Sequence, residues 1–119
     1  MRVELASLRS QRKGKVMDMY DVILSGRIDG EPEYRVRFAQ AVVKVRTKMP
    51  GAKVWNPAEL ESGREYKWYM RRCLHAIMEE SKETCVLVLL KGWNRSLGAV
   101  AEWAVARCLG MPVVRLWEM

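Results

Sequence analysis

Residues 86–102, with the sequence VLVLLKGWNRSLGAVAE, decide the fold class of this chain. The first five residues are apolar without interruption, which is typical of a strand buried on both faces of a sheet. A loop containing Gly, Asn and Ser follows, and small and apolar residues then continue at helical spacing to Leu109. A buried strand, a polar loop and a helix in this order indicate an α/β sheet, in which ligands bind at the carboxyl ends of the strands.

The same alternation recurs along the rest of the chain. Apolar segments predict strands at residues 22–24, 53–55, 84–90 and 111–117, and helical spacing predicts helices at residues 34–48, 65–81 and 97–109. Gly110 stands where the last helix is expected to stop. Strands that are apolar on both faces and alternate with helices predict a three-layer α/β sandwich. We expect a short parallel sheet in a flavodoxin-like or Rossmann-like order.

Length and composition indicate one globular domain. The 119 residues suffice for one core but not for two ordinary domains, so we assign residues 20–119 to a single domain. Residues 1–19 are interpreted as a basic N-terminal head, either flexible or forming an extra strand. The sequence begins without the apolar core of a secretion signal, and its apolar runs fall far below the roughly 20 residues that cross a bilayer. Three cysteines without C-x-x-C spacing argue against a disulfide framework. From these features together we expect a cytoplasmic protein with no membrane partner.

The formal net charge of +7 does not by itself indicate nucleic acid as a partner. Basic residues are spread along the sequence, and the densest group, at residues 9–15, lies in the predicted head. A head that binds nucleic acid is therefore the least favoured interpretation. A small anionic ligand such as a phosphate suits the same charge equally well.

Glu102 is the candidate reactive group. Between Leu97 and Leu109 the only other charged residue is Arg107, which lies about 140° away around the helix. No residue three or four positions from Glu102 carries a charge. The alternative is an ion pair across the fold with an arginine such as Arg27 or Arg95.

The loops expected at the carboxyl ends of the first three strands, residues 25–34, 56–65 and 91–98, share one rim of the sheet and predict a pocket beside Glu102. Ser96 suits the N-cap of the helix, and the free amides after it suit an anion. No phosphate-binding loop of the G-x-x-x-x-G-K-[ST] or G-x-G-x-x-G type is present. With His75 as the sole histidine and no zinc-ligand constellation, we predict neither a metal nor a cofactor.

Four segments in register resemble the motifs of a small bacterial and phage domain family of unknown function. They are VILSGRIDG at residues 22–30, WNPAEL at 55–60, YMRRCL at 69–74 and GWNRSLGAVAE at 92–102. The most specific part is S-x-G-A-x-x-E at 96–102, followed by A-x-x-L-G-x-P-V at 106–113. That family is similar to the nucleoside 2-deoxyribosyltransferases and the nucleoside 5'-monophosphate N-glycosidases, and the resemblance covers about residues 21–114.

The resemblance implies cleavage of the N-glycosidic bond of a nucleoside or nucleotide, in a homodimer or larger oligomer. Glu102 matches the glutamate that attacks C1' of the sugar and releases the base, after which a second base or water takes the sugar. Ser96 and Gly98 match positions that face the sugar or a 5'-phosphate, and Gly26 matches a glycine of the first loop. The substrate-binding residues expected from the motifs and loops together are Ser25, Gly26, Asn56, Trp93, Ser96 and Gly98.

Two positions depart from the pattern of that family. Cys73 stands where an aspartate commonly handles the proton of the base, and a tyrosine common near Val22 is absent. Glu59, Glu61 and Glu65 are candidates to replace the missing acid. These departures support a second interpretation, a module that senses or sequesters a nucleotide without turnover.

Overall fold

The structure is a computed structural model that describes residues 20–79 and 85–119, so the predicted head at residues 1–19 lies outside the described residues. Strands and helices alternate as the sequence predicts. The strands are β1 (Val22–Ser25), β2 (Val54–Trp55), β3 (Val86–Leu89) and β4 (Val113–Arg115), and the helices are α1 (Tyr34–Lys48), α2 (Tyr66–Glu79) and α3 (Leu97–Cys108). Short 3-10 turns lie at Pro57–Glu59, Trp93–Arg95 and Leu116–Glu118.

The four strands form one parallel sheet in the order β2-β1-β3-β4, which confirms the predicted three-layer, flavodoxin-like α/β fold. β1 and β3 pair along their whole length, from Val22 opposite Val86 to Ser25 opposite Leu89. The carboxyl ends of these two central strands therefore lie side by side. The loops that follow them leave the sheet at the same rim.

The two faces of the sheet are covered by different helices. Phe38, Ala41 and Val45 form the buried stripe of α1, which packs with Val22, Leu24 and other side chains of one sheet face. The opposite face contributes Ile23, Leu87 and Leu89, which pack with Ile77 of α2 and Ala106 of α3. Because side chains alternate along a strand, Ser25 lies on the same face as Ile23, towards α2 and α3.

The last predicted strand is shorter than expected. Residues 111–117 are apolar enough for a strand, but only Val113–Arg115 pairs, opposite Leu87 to Leu89. β3 ends at Leu89 and offers no further partner, so the chain turns into the 3-10 segment Leu116–Glu118. The predicted ends of the second helix and the third strand fall partly on residues 80–84, outside the described residues.

Both ends of α3 follow the capping rules. Ser96 is the N-cap, and its hydroxyl accepts a hydrogen bond of 3.1 Å from the amide of Ala99. Gly110 has a φ of 75°, and the amides of Gly110 and Met111 donate to the carbonyls of Arg107 and Ala106. Within residues 20–79 and 85–119, no helix has both the length and the apolarity needed to cross a membrane.

Candidate active site

Glu102 lies on the inward face of α3. The buried residues of this helix recur three or four positions apart, at Gly98 and Ala99, then Glu102, then Ala106. Glu102 is 6% exposed, although an acid at such a position loses most of its hydration. The helix thus presents a single carboxylate, flanked by small residues, to the rim of the sheet.

The partners of Glu102 are uncharged donors. The hydroxyl of Ser25, at the end of β1, donates a hydrogen bond of 2.6 Å to Oε1 of Glu102. The thiol of Cys73, from α2, is close enough to this carboxylate to favour its ionised form. No ion pair of Glu102 is seen among residues 20–79 and 85–119, and Nε of Arg27 instead donates to the carbonyl of Asp29 at 3.2 Å. The alternative of an arginine clamp across the fold therefore finds no support in the described part of the chain.

Burial sets the acidity of this group. It raises the pKa of Glu102 from 4.5 to about 7, while the hydrogen bonds from Ser25 and Cys73 lower the pKa by favouring the ionised form. Burial, together with the neighbouring carboxylate, raises the pKa of the Cys73 thiol well above its ordinary value. Cys73 therefore stays protonated and acts as a donor. Glu102 changes its protonation state close to neutral pH.

A pocket of about 260 Å³ opens beside Glu102, slightly below the range of roughly 300–1,000 Å³ that is usual for small-ligand sites. We call it the Glu102 pocket. Its wall is formed mainly by the apolar and aromatic residues Ile28, Tyr66, Tyr69 and Met70. Polar groups come from Asp29 and Arg64, and Ser96 to Ala99 bring the first turn of α3 to the pocket. The apolar and aromatic wall suits a flat part of a ligand, and the start of α3 suits an anionic part.

Two glycines of the pocket mark close approaches. A Cβ on Gly98 would lie 3.0 Å from both Sδ of Met70 and the hydroxyl of Tyr66, so the missing side chain leaves room between α2 and α3. A Cβ on Gly26 would lie 2.9 Å from Cβ of Leu90. Gly26 is therefore also required by the packing of the rim itself, besides lining the pocket.

The phenol of Tyr66 is a suitable hydrogen-bond donor on the pocket wall. Desolvation first, and then the negative charges of Glu102 and Asp29, raise the pKa of Tyr66 above its ordinary value. The phenol thus stays protonated at neutral pH. It can donate a hydrogen bond to a ligand that lies over Glu102.

The predicted site residues separate into three groups. Gly26, Ser96, Gly98 and Glu102 line the Glu102 pocket. Ser25 is fully buried behind it, where it contacts the carboxylate instead of facing the opening.

The other two predicted residues lie away from this pocket. Oδ1 of Asn56 accepts a hydrogen bond of 2.9 Å from the amide of Ala58 and so caps the short turn after β2. Trp93 packs against Trp103, with ring centroids 5.5 Å apart, and lines a second cleft.

The sequence-based interpretation missed the α2 wall of the pocket. Tyr66, Met70, Cys73 and Ile77 follow one another at intervals of four, three and four positions, which is the signature of one helix face. This spacing is visible in the sequence, but the sequence does not show that Tyr66 and Met70 lie on the same side as Glu102. None of the candidate replacement acids lines the pocket, and Glu61 pairs instead with Nε of Arg64 at 2.5 Å. In the described ranges no group of three or more His, Cys, Asp or Glu residues could hold a metal ion.

Comparison with known proteins shows which family the chain belongs to. A family profile described as "Domain of unknown function (DUF4406)" matches residues 17–115, which is most of the chain. No curated protein and no solved structure matches the sequence.

Proposed function

The chain belongs to the DUF4406 family, whose function is unknown, and we propose that it cleaves an N-glycosidic bond, with Glu102 as the nucleophile. The substrate is a nucleoside, a deoxynucleoside or a nucleoside 5'-monophosphate, and the acceptor of the sugar is water or a second base. One observation carries the proposal: a buried carboxylate, which accepts a hydrogen bond from the uncharged hydroxyl of Ser25, borders an open pocket. The resemblance of the sequence motifs to the nucleoside 2-deoxyribosyltransferases supports the same reaction.

The reaction balances with the groups of the pocket. An ionised oxygen of Glu102 attacks C1' of the sugar and forms an ester bond while the bond from C1' to the base nitrogen breaks. The electron pair of the broken bond stays on the base, which takes up a proton from solvent at the open side of the pocket. Water, or the nitrogen of a second base, then attacks C1', loses its proton to solvent and releases Glu102 as a carboxylate.

Each pocket residue has a role that its chemistry allows. The hydrogen bonds from Ser25 and Cys73 orient the carboxylate and favour its ionised form, which is the nucleophilic one. The phenol of Tyr66 donates a hydrogen bond to the leaving base. The first turn of α3, with its free amides and the hydroxyl of Ser96, suits the 5'-phosphate of a monophosphate substrate.

The test is release of free base. The protein is incubated with a panel of ribo- and deoxyribonucleosides and their 5'-monophosphates, and free base is separated by chromatography. We expect base from at least one substrate, and a loss of about 100-fold or more in Glu102→Gln. Glu59→Gln, which changes an exposed acid outside the pocket, serves as the matched control and should retain the rate. A panel without any free base, or full activity in Glu102→Gln, would refute the proposal.

A second candidate function is favoured by Cys73. Cys73 stands where the family that the sequence resembles commonly has an aspartate. Because the pKa of its thiol is raised, Cys73 is a poor proton donor to a leaving base. A chain that binds a nucleotide without turning it over should gain thermal stability from the ligand while no base appears. Cys73→Asp separates the two functions, because base release that appears only in this variant identifies the natural chain as a binding module.

Assembly into a homodimer or a larger oligomer is part of the same proposal. Leu97 is 87% exposed, and Tyr66 is also exposed; both lie at the start of the helices that border the pocket. A second subunit that covers these side chains would remove apolar surface from water. Sedimentation equilibrium tests this point, and a monomer at all concentrations would contradict it.

A further inference from the structure

A second cleft collects cations that are far apart in the sequence. Arg37 comes from α1, Lys91 and Arg95 from the loop after β3, and Arg115 from the end of β4. Together with Trp93, Asn94 and Trp117 they line an open cleft of about 540 Å³, which we call the basic basin. Among residues 20–79 and 85–119, no carboxylate lines this cleft. The basin therefore concentrates positive charge at one place on the surface.

The cations of the basin are partly fixed and partly free. Nη2 of Arg37 donates to the carbonyl of Lys91 at 2.6 Å, and Nη1 of Arg37 pairs with Glu31 at 3.2 Å. Arg115 pairs with Glu118 at 3.6 Å. Lys91 and Arg95 form no ion pair within the part of the chain that the structure describes, and both side chains are exposed. Arg37 and Arg115 are thus held by ion pairs, whereas Lys91 and Arg95 can bind an external anion.

Aromatic rings accompany this charge. Trp93 is anchored by its contact with Trp103, whereas Trp117 is 45% exposed although it is a large apolar side chain. An exposed indole among cations is the combination by which proteins hold single-stranded nucleic acid, because phosphates meet the cations and a base stacks on the ring. A peptide rich in Asp and Glu would use the cations but not the ring.

We propose that the basic basin binds a single-stranded nucleic acid, with Lys91 and Arg95 contacting phosphates and Trp117 stacking on a base. The sequence alone disfavoured nucleic acid because its basic residues are scattered. Folding brings four of them together, which the order of residues did not reveal. The inference does not depend on the proposed glycosidase, since no residue is shared between the basin and the Glu102 pocket.

A binding experiment with matched variants tests the basin. The full chain is titrated into a fluorescein-labelled deoxythymidine 10-mer at about 50 mM salt, and anisotropy gives Kd. The double variant Lys91→Ala with Arg95→Ala should weaken binding about tenfold and reduce the slope of log Kd against log salt by about 1.4, since about two phosphate contacts are lost. Lys67→Ala with Arg71→Ala removes the same charge from exposed positions of α2 and should stay within twofold of wild type.

Trp117 provides a second, independent readout. Trp117→Ala should weaken binding about fivefold or more without changing the salt slope, and Trp117→Phe should restore part of the affinity. Equal losses in both double variants would show diffuse attraction, and no loss in either would place binding outside the basin, for example in residues 1–19. Either result would overturn the inference, and so would the absence of binding. Competition by poly-glutamate or inorganic triphosphate that is as strong as competition by unlabelled oligonucleotide would also overturn it.

Discussion

The hydroxyl of Ser25 donates a hydrogen bond of 2.6 Å to Oε1 of Glu102, across 77 positions of the chain. Ser25 is 0% exposed and Glu102 is 6% exposed, so water does not compete for this contact. The bond exists because Ser25 ends β1 on the sheet face that α3 covers. It fixes the direction of the carboxylate and offsets part of the cost of its burial.

Removal of this hydroxyl should shift the pH dependence of base release. The ionised form of Glu102 reacts, so kcat/KM should rise with pH around the pKa of about 7. Ser25→Ala deletes a hydrogen bond that lowers this pKa, and we expect the rising limb to move upward by about one pH unit. The pH profile of kcat/KM measures the shift. Ser62→Ala, at an exposed turn, is the control, and an unmoved limb in Ser25→Ala would contradict the assigned role.

The same raised pKa predicts a pH-dependent stability. In the folded protein Glu102 binds its proton more tightly than in the unfolded chain, so its stabilising contribution is full below pH 4.5 and is lost as pH rises through about 7. Glu102→Gln mimics the protonated acid. Relative to wild type it should become more stable with rising pH, by about 3 kcal/mol between pH 4.5 and pH 9 as an upper value.

Urea denaturation at both ends of this pH range measures the difference in free energy of unfolding. The exposed Glu59→Gln variant should show no comparable trend. A constant difference between Glu102→Gln and wild type would mean that the folded carboxyl titrates as an ordinary glutamate.

Gly98→Ala should separate activity from folding. Gly98 lies in the first turn of α3 without a positive φ, where alanine is a better helix former. A Cβ there would come within 3.0 Å of Tyr66 and Met70, which must shift into the pocket or away from it. We expect a fall in kcat/KM of about tenfold with an unchanged or higher Tm. Ala101→Ser, elsewhere on α3, is the control, and undiminished activity in Gly98→Ala would show that the substrate does not use this space.

Tyr66→Phe tests whether a hydrogen bond from the phenol assists departure of the base. If the phenol assists departure of the base, its loss should slow cleavage of ordinary nucleotides about tenfold or more. A 7-methylguanine nucleotide carries a base that leaves without a new proton, so its cleavage should hardly change. Parallel kcat values for the two substrates give the comparison. Equal slowing of both would assign Tyr66 to the pocket wall alone, and Tyr69→Phe shows the effect of removing a neighbouring phenol.

The sequence was sufficient for the architecture because it depends on local patterns. Apolar runs such as residues 86–90 and the helical spacing of α1 are written in consecutive residues, and parallel pairing follows from their alternation. Glu102 could be selected as a candidate for the same reason, because it is an acid on an otherwise apolar helix. The strand 111–117 was predicted too long because its length depends on where the neighbouring β3 ends.

The remainder of the site depends on contacts between elements. Cys73 and the aromatic wall come beside Glu102 through the packing of α2 against α3, which spacing within one helix does not specify. Trp93 follows β3 in the expected loop, yet it packs against Trp103 and lines the basic basin instead of the Glu102 pocket. The basin itself assembles cations from three segments, and only the topology brings them together.

The most direct test of the account is the identity of the residue that carries the sugar during turnover. The protein is incubated with a substrate from the panel that bears a 2'-fluoro substituent, which slows hydrolysis of the ester, and is then quenched in acid and digested for mass spectrometry. The account predicts a sugar adduct on the side chain of Glu102 that is missing in Glu102→Gln. An adduct on a different residue, or base release by Glu102→Gln at the wild-type rate, would contradict it.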